Sequence, residues 1–179
     1  MDKELKTLIN FINNNKVSVY RDENNDIIVD GDIVVYDDIY TYLPVKIHIL
    51  NGSIIWKGNT DGFKPGTLSS LINFPDIVNG DVRISKNNNL SSLKYCPKYI
   101  AGTLQCDYCN ISDISDIATH IGGFLILSYN PIEDVSVLEH VYVGKNIELL
   151  HTNVMSVNDI QLKNDSSVIV YEQLYNNIY

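Results

Sequence analysis

LSSLKYCPKYIAGTLQCDYCN, residues 90–110, carries a Cys-x-x-Cys pair (Cys106, Cys109) and a third cysteine, Cys96. Its neighbours decide what it is. LSSLINFPDIVNGDVRISKNNN (68–89) precedes it, and ISDISDIATHIGGFLILSYNP (111–131) and IEDVSVLEHVYVGKNIELLHTN (132–153) follow. Segments begin at Leu68, Leu90, Ile111, Ile132 and Val154, at spacings of 22, 21, 21 and 22 residues. Gly80, Gly102, Gly123 and Gly144 recur in step. Self-similarity at roughly 20 to 29 residues marks a leucine-rich-repeat-type solenoid.

The fold class expected is mainly β. Apolar pairs spaced by two put both side chains on one face of a strand. They are Ile33/Val35, Ile54/Trp56, Val82/Ile84, Leu104/Cys106, Leu125/Leu127, Ile147/Leu149 and Val168/Val170, which makes seven rungs. Three residues after each pair stand Asp38, Asn59, Asn87, Cys109, Asn130, Thr152 and Gln173. A small polar group there satisfies backbone groups at the bend out of the strand. Further apolar positions, Val78, Ile100, Ile121 and Val143 among them, line the core of each coil.

An open solenoid exposes its last core layer, so the ends are expected to be capped. ELKTLINFINNN (4–15) has Leu5, Leu8, Ile9 and Ile12 at helical spacing, and VSVY and DIIVD flank RDENN as a hairpin. Residues 1–31 are the expected N-terminal cap, 32–171 the solenoid and 172–179 a C-terminal tail or cap. One rung spacing is 28 rather than 21 or 22, so an insertion loop is expected at 59–67, where NTDGFKPGT holds two glycines and a proline.

The formal charge is −9, and seven acids, Asp22, Glu23, Asp26, Asp30, Asp32, Asp37 and Asp38, fall within 17 residues. This argues against nucleic acid and anionic membrane as partners, since both want clustered Lys and Arg. It favours a partner with a basic patch. No apolar run approaches the roughly 18 residues of a membrane span. The first residues lack a basic region followed by an apolar block, so a cytoplasmic protein with free thiols is expected.

The cysteines fit structural positions. Cys106 stands where other rungs carry Trp56, Ile84 and Leu127, Cys109 where they carry Asn87 and Asn130, and Cys96 matches Phe74 and Ile117. The four histidines, His48, His120, His140 and His151, lack ligand spacing for a fourth zinc donor and stand beside no patterned nucleophile. No phosphate-binding glycine motif is present. The expectation is no cofactor, no metal and no catalytic residue.

Residues alternating with the inward pairs face outwards from the expected concave sheet. Val34, Ile55, Arg83, Gln105, Ile126 and Glu148 form its middle row. Tyr36, Lys57, Asp107, Phe124, Ser85 and Ser128 flank that row. The mixture of apolar, aromatic and charged side chains suits a protein-binding patch. Asp61, Phe63 and Lys64 in the insertion loop are further candidates, because loops on rigid scaffolds often carry function.

The repeat wording of LSSLKYCPKYIAGTLQCDYCNI, with its Leu-Ser-Ser-Leu, the turns at Pro75 and Pro97, the glycine and the Cys/Asn, resembles leucine-rich-repeat-like proteins of large tailed bacteriophages. The match runs over about residues 68–153 and departs at Ala118 and Glu139, where proline is expected. The resemblance implies a nonenzymatic accessory protein that binds, and inhibits or redirects, a host defence or regulatory protein in the host cytoplasm. Two alternatives stand beside it: an oligomeric nucleotide sponge, and an acidic mimic of DNA using Asp22 to Asp38.

Overall fold

Each repeat holds two short extended runs separated by a glycine-bearing corner. Each run takes its hydrogen-bond partners from the same run one repeat away. The computed structural model describes residues 2–14, 16–36, 39–57, 65–155 and 168–169. Helix α1 (Lys3–Ile12) comes first, with Leu8 and Ile12 buried, the Asp2 side chain capping Glu4 N–H and Asn13 left-handed at the far end. The strands are β1 (Ser18–Arg21), β2 (Ile27–Asp30), β3 (Ile33–Val35), β4 (Ile49–Asn51), β5 (Ile54–Trp56), β6 (Ile77–Val78) and β7 (Val82–Arg83). They continue as β8 (Tyr99–Ile100), β9 (Leu104–Gln105), β10 (His120–Ile121), β11 (Leu125–Ile126), β12 (Tyr142–Val143), β13 (Ile147–Glu148) and β14 (Val168–Ile169).

The strands alternate between two sheets. Sheet A runs β1-β2-β4-β6-β8-β10-β12 and sheet B runs β14-β13-β11-β9-β7-β5-β3. Among the described residues only β1 and β2 pair antiparallel; every other strand pair is parallel. The result is a parallel β-solenoid of about five turns between β2 and β12. Every pair named above as inward is buried wherever its side chains are described, with Leu104, Leu125 and Ile147 at 0% exposure. Burial of each such aliphatic side chain stabilises by about 1.5–3 kcal/mol.

The second sheet was not expected. Val78, Ile100, Ile121 and Val143 are core residues as anticipated, but they also belong to strands of sheet A. The hairpin forms as the spacing predicts, except that β2 is itself a strand of sheet A and pairs parallel with β4. Residues 58–64, and so most of the expected insertion, lie outside the described residues, as does 172–179. Where Glu139 replaces an expected proline, the coil holds a 3₁₀ turn, Ser136–His140.

The corner between the sheets brings backbones together. A Cβ on Gly80 would lie 2.5 Å from the Gly52 carbonyl oxygen, and one on Gly102 would lie 2.7 Å from that of Gly80. Next to this glycine column runs a polar one. Asp32 Oδ1 accepts from Ser53 N–H (2.7 Å), Ser53 Oγ from Asp81 N–H (3.0 Å), Asp81 Oδ1 from Thr103 N–H (2.8 Å) and Thr103 Oγ1 from Phe124 N–H (3.3 Å). At the far end of sheet B the chain bends through a left-handed residue in each turn: Lys86, Tyr108, Tyr129 and His151, with φ of 60°, 54°, 59° and 53°. Asn87, Cys109, Asn130 and Thr152 follow them and hold the bend with side-chain bonds to carbonyls.

Candidate functional site

The three cysteines are free and buried in the core, each at its expected rung position. Burial pushes the Cys96 thiol up to about 12 and the Cys109 thiol up to about 11, and raises Cys106 well above the ordinary value. A thiol held protonated at neutral pH is a poor nucleophile and a poor metal ligand. Cys109 Sγ instead donates to the Ile84 carbonyl at 3.3 Å.

The histidines lie in four different places. His48 Nδ1 accepts from Ile27 N–H at 3.0 Å while Nε2 stands 3.1 Å from Asp26 Oδ1, so both ring nitrogens are engaged. His120 is stacked between Tyr99 and Tyr142, with centroids 4.5 and 4.6 Å apart. His151 stacks on Tyr129 at 4.4 Å, and His140 Nε2 lies 3.2 Å from Glu139. Among the described residues, no group of three or more His, Cys, Asp or Glu could hold a metal ion. Nor is any described helix long and apolar enough to cross a membrane.

Sheet B brings the middle row together. Its parallel register sets Val34 beside Ile55, Ile55 beside Arg83, Arg83 beside Gln105, Gln105 beside Ile126 and Ile126 beside Glu148. All six side chains are at least partly exposed, because their strand neighbours point into the core. The flanking residues are tied to one another. Arg83 donates from Nε and Nη2 to Asp81 Oδ2 at 3.1 and 2.8 Å. Partial burial raises the Asp81 carboxyl, but the Thr103 N–H and the Arg83 guanidinium outweigh it and hold the group below the usual carboxylate range. Lys57 Nζ lies 5.6 Å over the Tyr36 ring and Lys145 Nζ lies 4.8 Å over Phe124. Asp107 Oδ1 accepts from Gln105 Nε2 at 2.9 Å and from Ser85 Oγ at 2.5 Å.

Two outcomes bear on the expected chemistry. Among the described residues the cations do not converge: Arg83 is committed to Asp81, Lys57 and Lys145 sit over separate rings, and Lys86 occupies the bend. Ser128, expected to face outwards, is 4% exposed and accepts from Leu150 N–H at 3.1 Å. β11 has already ended at Ile126, so strand alternation no longer sets the direction of Ser128. Asp61, Phe63 and Lys64 lie outside the described residues.

Sheet A also carries an outward row, which the apolar pairs of sheet B do not reveal. On sheet A, Ile49, Ile77, Tyr99, His120 and Tyr142 stand in register. Ile77, Tyr99 and Tyr142 are exposed. The signal was available in the alignment of repeats, where Tyr99 and His120 occupy the same column. Comparison with protein-family models, with curated proteins and with solved structures finds no match to this chain.

Proposed function

We propose that this chain is a nonenzymatic interaction protein that binds another protein through the outer face of sheet B. The observation that carries it is the in-register row Val34-Ile55-Arg83-Gln105-Ile126-Glu148. It offers apolar side chains beside two charges, of which Arg83 is held in place by Asp81, the mixture that interface cores and their margins use. The net charge of −9 favours a partner with a basic patch. On the resemblance noted in the repeat wording, the chain is a phage accessory protein, and the partner a host defence or regulatory protein in the bacterial cytoplasm. In this picture the leucine-rich-repeat-like solenoid has seven rungs over 32–171, residues 1–31 cap one end, 172–179 close the other, and the insertion at 59–67 adds contacts through Asp61, Phe63 and Lys64.

The test is affinity capture from a bacterial lysate, followed by calorimetry of the captured protein with wild type, Ile55→Asp, Ile126→Asp and Lys98→Glu. Lys98 lies off this face, next to β8. The two face variants are expected to lose about 2 kcal/mol or more of affinity each, as central apolar anchors do. Equal binding by wild type and both face variants would remove sheet B from the interface.

A further inference from the structure

Sheet B begins at β3, and among the described residues no strand pairs with its outer edge. Ile33 N–H donates to Ser53 and Val35 C=O accepts from Lys57, both at 2.9 Å, so these groups face β5. In a parallel ladder the peptide groups of the intervening residue, Val34, point the other way. An unpaired strand edge is a template for another chain. Beside it lies an open cleft of about 670 Å³, walled by Phe11 and Asn13 at the end of α1 and by Val34, Tyr36 and Tyr40. That volume is in the range of ligand-binding clefts, roughly 300 to 1,000 Å³.

The chemistry of the cleft points to one kind of occupant. Phe11 and Tyr40 meet edge to face at 4.7 Å, and Tyr36 is 52% exposed. Ile39 and Tyr42, on either side of Tyr40 in the chain, are also exposed. The carboxyl end of α1, which carries about half a negative charge, forms part of the wall and has no basic residue in its last turn. Among the described residues the lining itself carries no charged side chain. The longer-range field comes from residues 1–45, which hold nine acids against four basic residues, a net −5 of the chain's −9, with Asp2 and Glu4 among the acids paired with Arg21. The Lys57 ammonium over Tyr36 shows that this ring takes a cation on one face.

We propose that the β3 edge and its cleft bind an extended basic segment of a partner protein by strand addition. The segment's backbone pairs with the Val34 peptide groups, an apolar side chain enters against Phe11 and Tyr40, and a Lys or Arg lies by Tyr36 and the end of α1. The proposal is independent of whether the face of sheet B binds a partner.

The probe is a fluorescein-labelled heptapeptide of alternating Val and Lys, followed by anisotropy with the full chain. Comparators are a Val/Glu peptide and Val/Lys peptides N-methylated at alternate residues, in each of the two registers. The Val/Lys peptide is expected to bind, and the Val/Glu peptide to bind at least about tenfold more weakly. One N-methylated register is expected to weaken binding by about tenfold, since it removes the bonds to the edge. Val34→Pro, which deletes the edge N–H and leaves the bonds to β5, and Tyr36→Ala are expected to weaken it similarly, and Lys98→Gln, off both the edge and the face of sheet B, to leave it unchanged. Absence of Val/Lys binding at millimolar protein, equal binding of the Lys and Glu peptides, or no effect of methylation in either register would overturn the proposal. The methylation arm alters the probe alone, so it decides the matter even if Val34→Pro does not fold.

Discussion

Asn130 reaches across one turn to Cys106: its Nδ2 donates to the Cys106 carbonyl at 2.8 Å and to the Leu127 carbonyl of its own turn at 2.9 Å. Its Oδ1 accepts from Ile111 N–H at 3.0 Å. Asn87 repeats the arrangement with the Ile84 carbonyl and Leu68 N–H, and both residues are buried. Truncation would leave buried backbone groups without partners, at about 1–3 kcal/mol for each group. Asn130→Ala is therefore expected to lower the unfolding free energy by about 3 kcal/mol, measured by urea denaturation. Cys109 fills the same column with a single weak donor, and Cys109→Asn is expected to change stability by less than about 1 kcal/mol.

The glycine corner makes a separate prediction. A methyl group on Gly80 would press on the Gly52 carbonyl at 2.5 Å, and neither backbone can yield without lengthening the bonds between turns. Gly80→Ala is expected to cost about 2 kcal/mol or more, in the range of overpacked cores. A melting temperature equal to wild type would show that the corner has slack.

The thiols are expected to be silent in the folded protein. With all three buried and their pKa values raised, reaction with a disulfide reagent at pH 7.5 should be slow. Its rate should rise in step with global unfolding in denaturant. Rapid modification of one thiol under native conditions would place that cysteine at the surface.

Acid should weaken the fold through Asp81. Its folded pKa is depressed, so the stability it contributes is fully present above the unfolded value of about 3.9 and is lost as pH falls through the folded value. Asp113 and Asp134, held low by the Ser115 and Ser136 N–H groups, act in the same direction. The melting temperature is expected to be flat from about pH 5 to 7 and to drop below about pH 4. Asp81→Asn should shallow that drop.

Arg83 needs a neutral substitution when the face of sheet B is tested. A charge reversal there would set two carboxylates against each other beside Thr103, mixing a fold defect with a binding defect. Arg83→Gln removes the charge and its bonds to Asp81 without placing a second carboxylate there. It is expected to cost less than about 1 kcal/mol of stability, as exposed ion pairs do, measured by urea denaturation.

Sheet B was legible in the sequence because each of its rungs buries two residues at a spacing of two, as in Val82/Ile84 and Leu125/Leu127. Sheet A was not. Its later strands, such as β8 and β10, are two residues long and bury one side chain each, Ile100 and Ile121, which leaves no alternation to detect. The middle row of the face could be listed in order from the repeat alone. The commitment of Arg83 to Asp81 could not, since it depends on how two side chains on the same side of one strand divide their bonds. The cleft at β3 was also beyond reach: it arises where α1 stops, and Asn13 turning left-handed ends the helix before the end of its apolar-and-Asn run.

The glycine corner also governs how such a chain can change its length. Gly80 and Gly102 fit only because each lies against the glycine of the turn before it. A single residue inserted or deleted within the corner or a strand shifts the residues after it out of this column and turns inward side chains to the outside, whereas the 21- and 22-residue turns take up their one-residue difference elsewhere in the coil. Loss or gain of a whole repeat leaves every column intact. Heritable change in size is thus quantised: the tolerated step is 21 or 22 codons, and smaller steps should be confined to segments outside the corner and the two sheets.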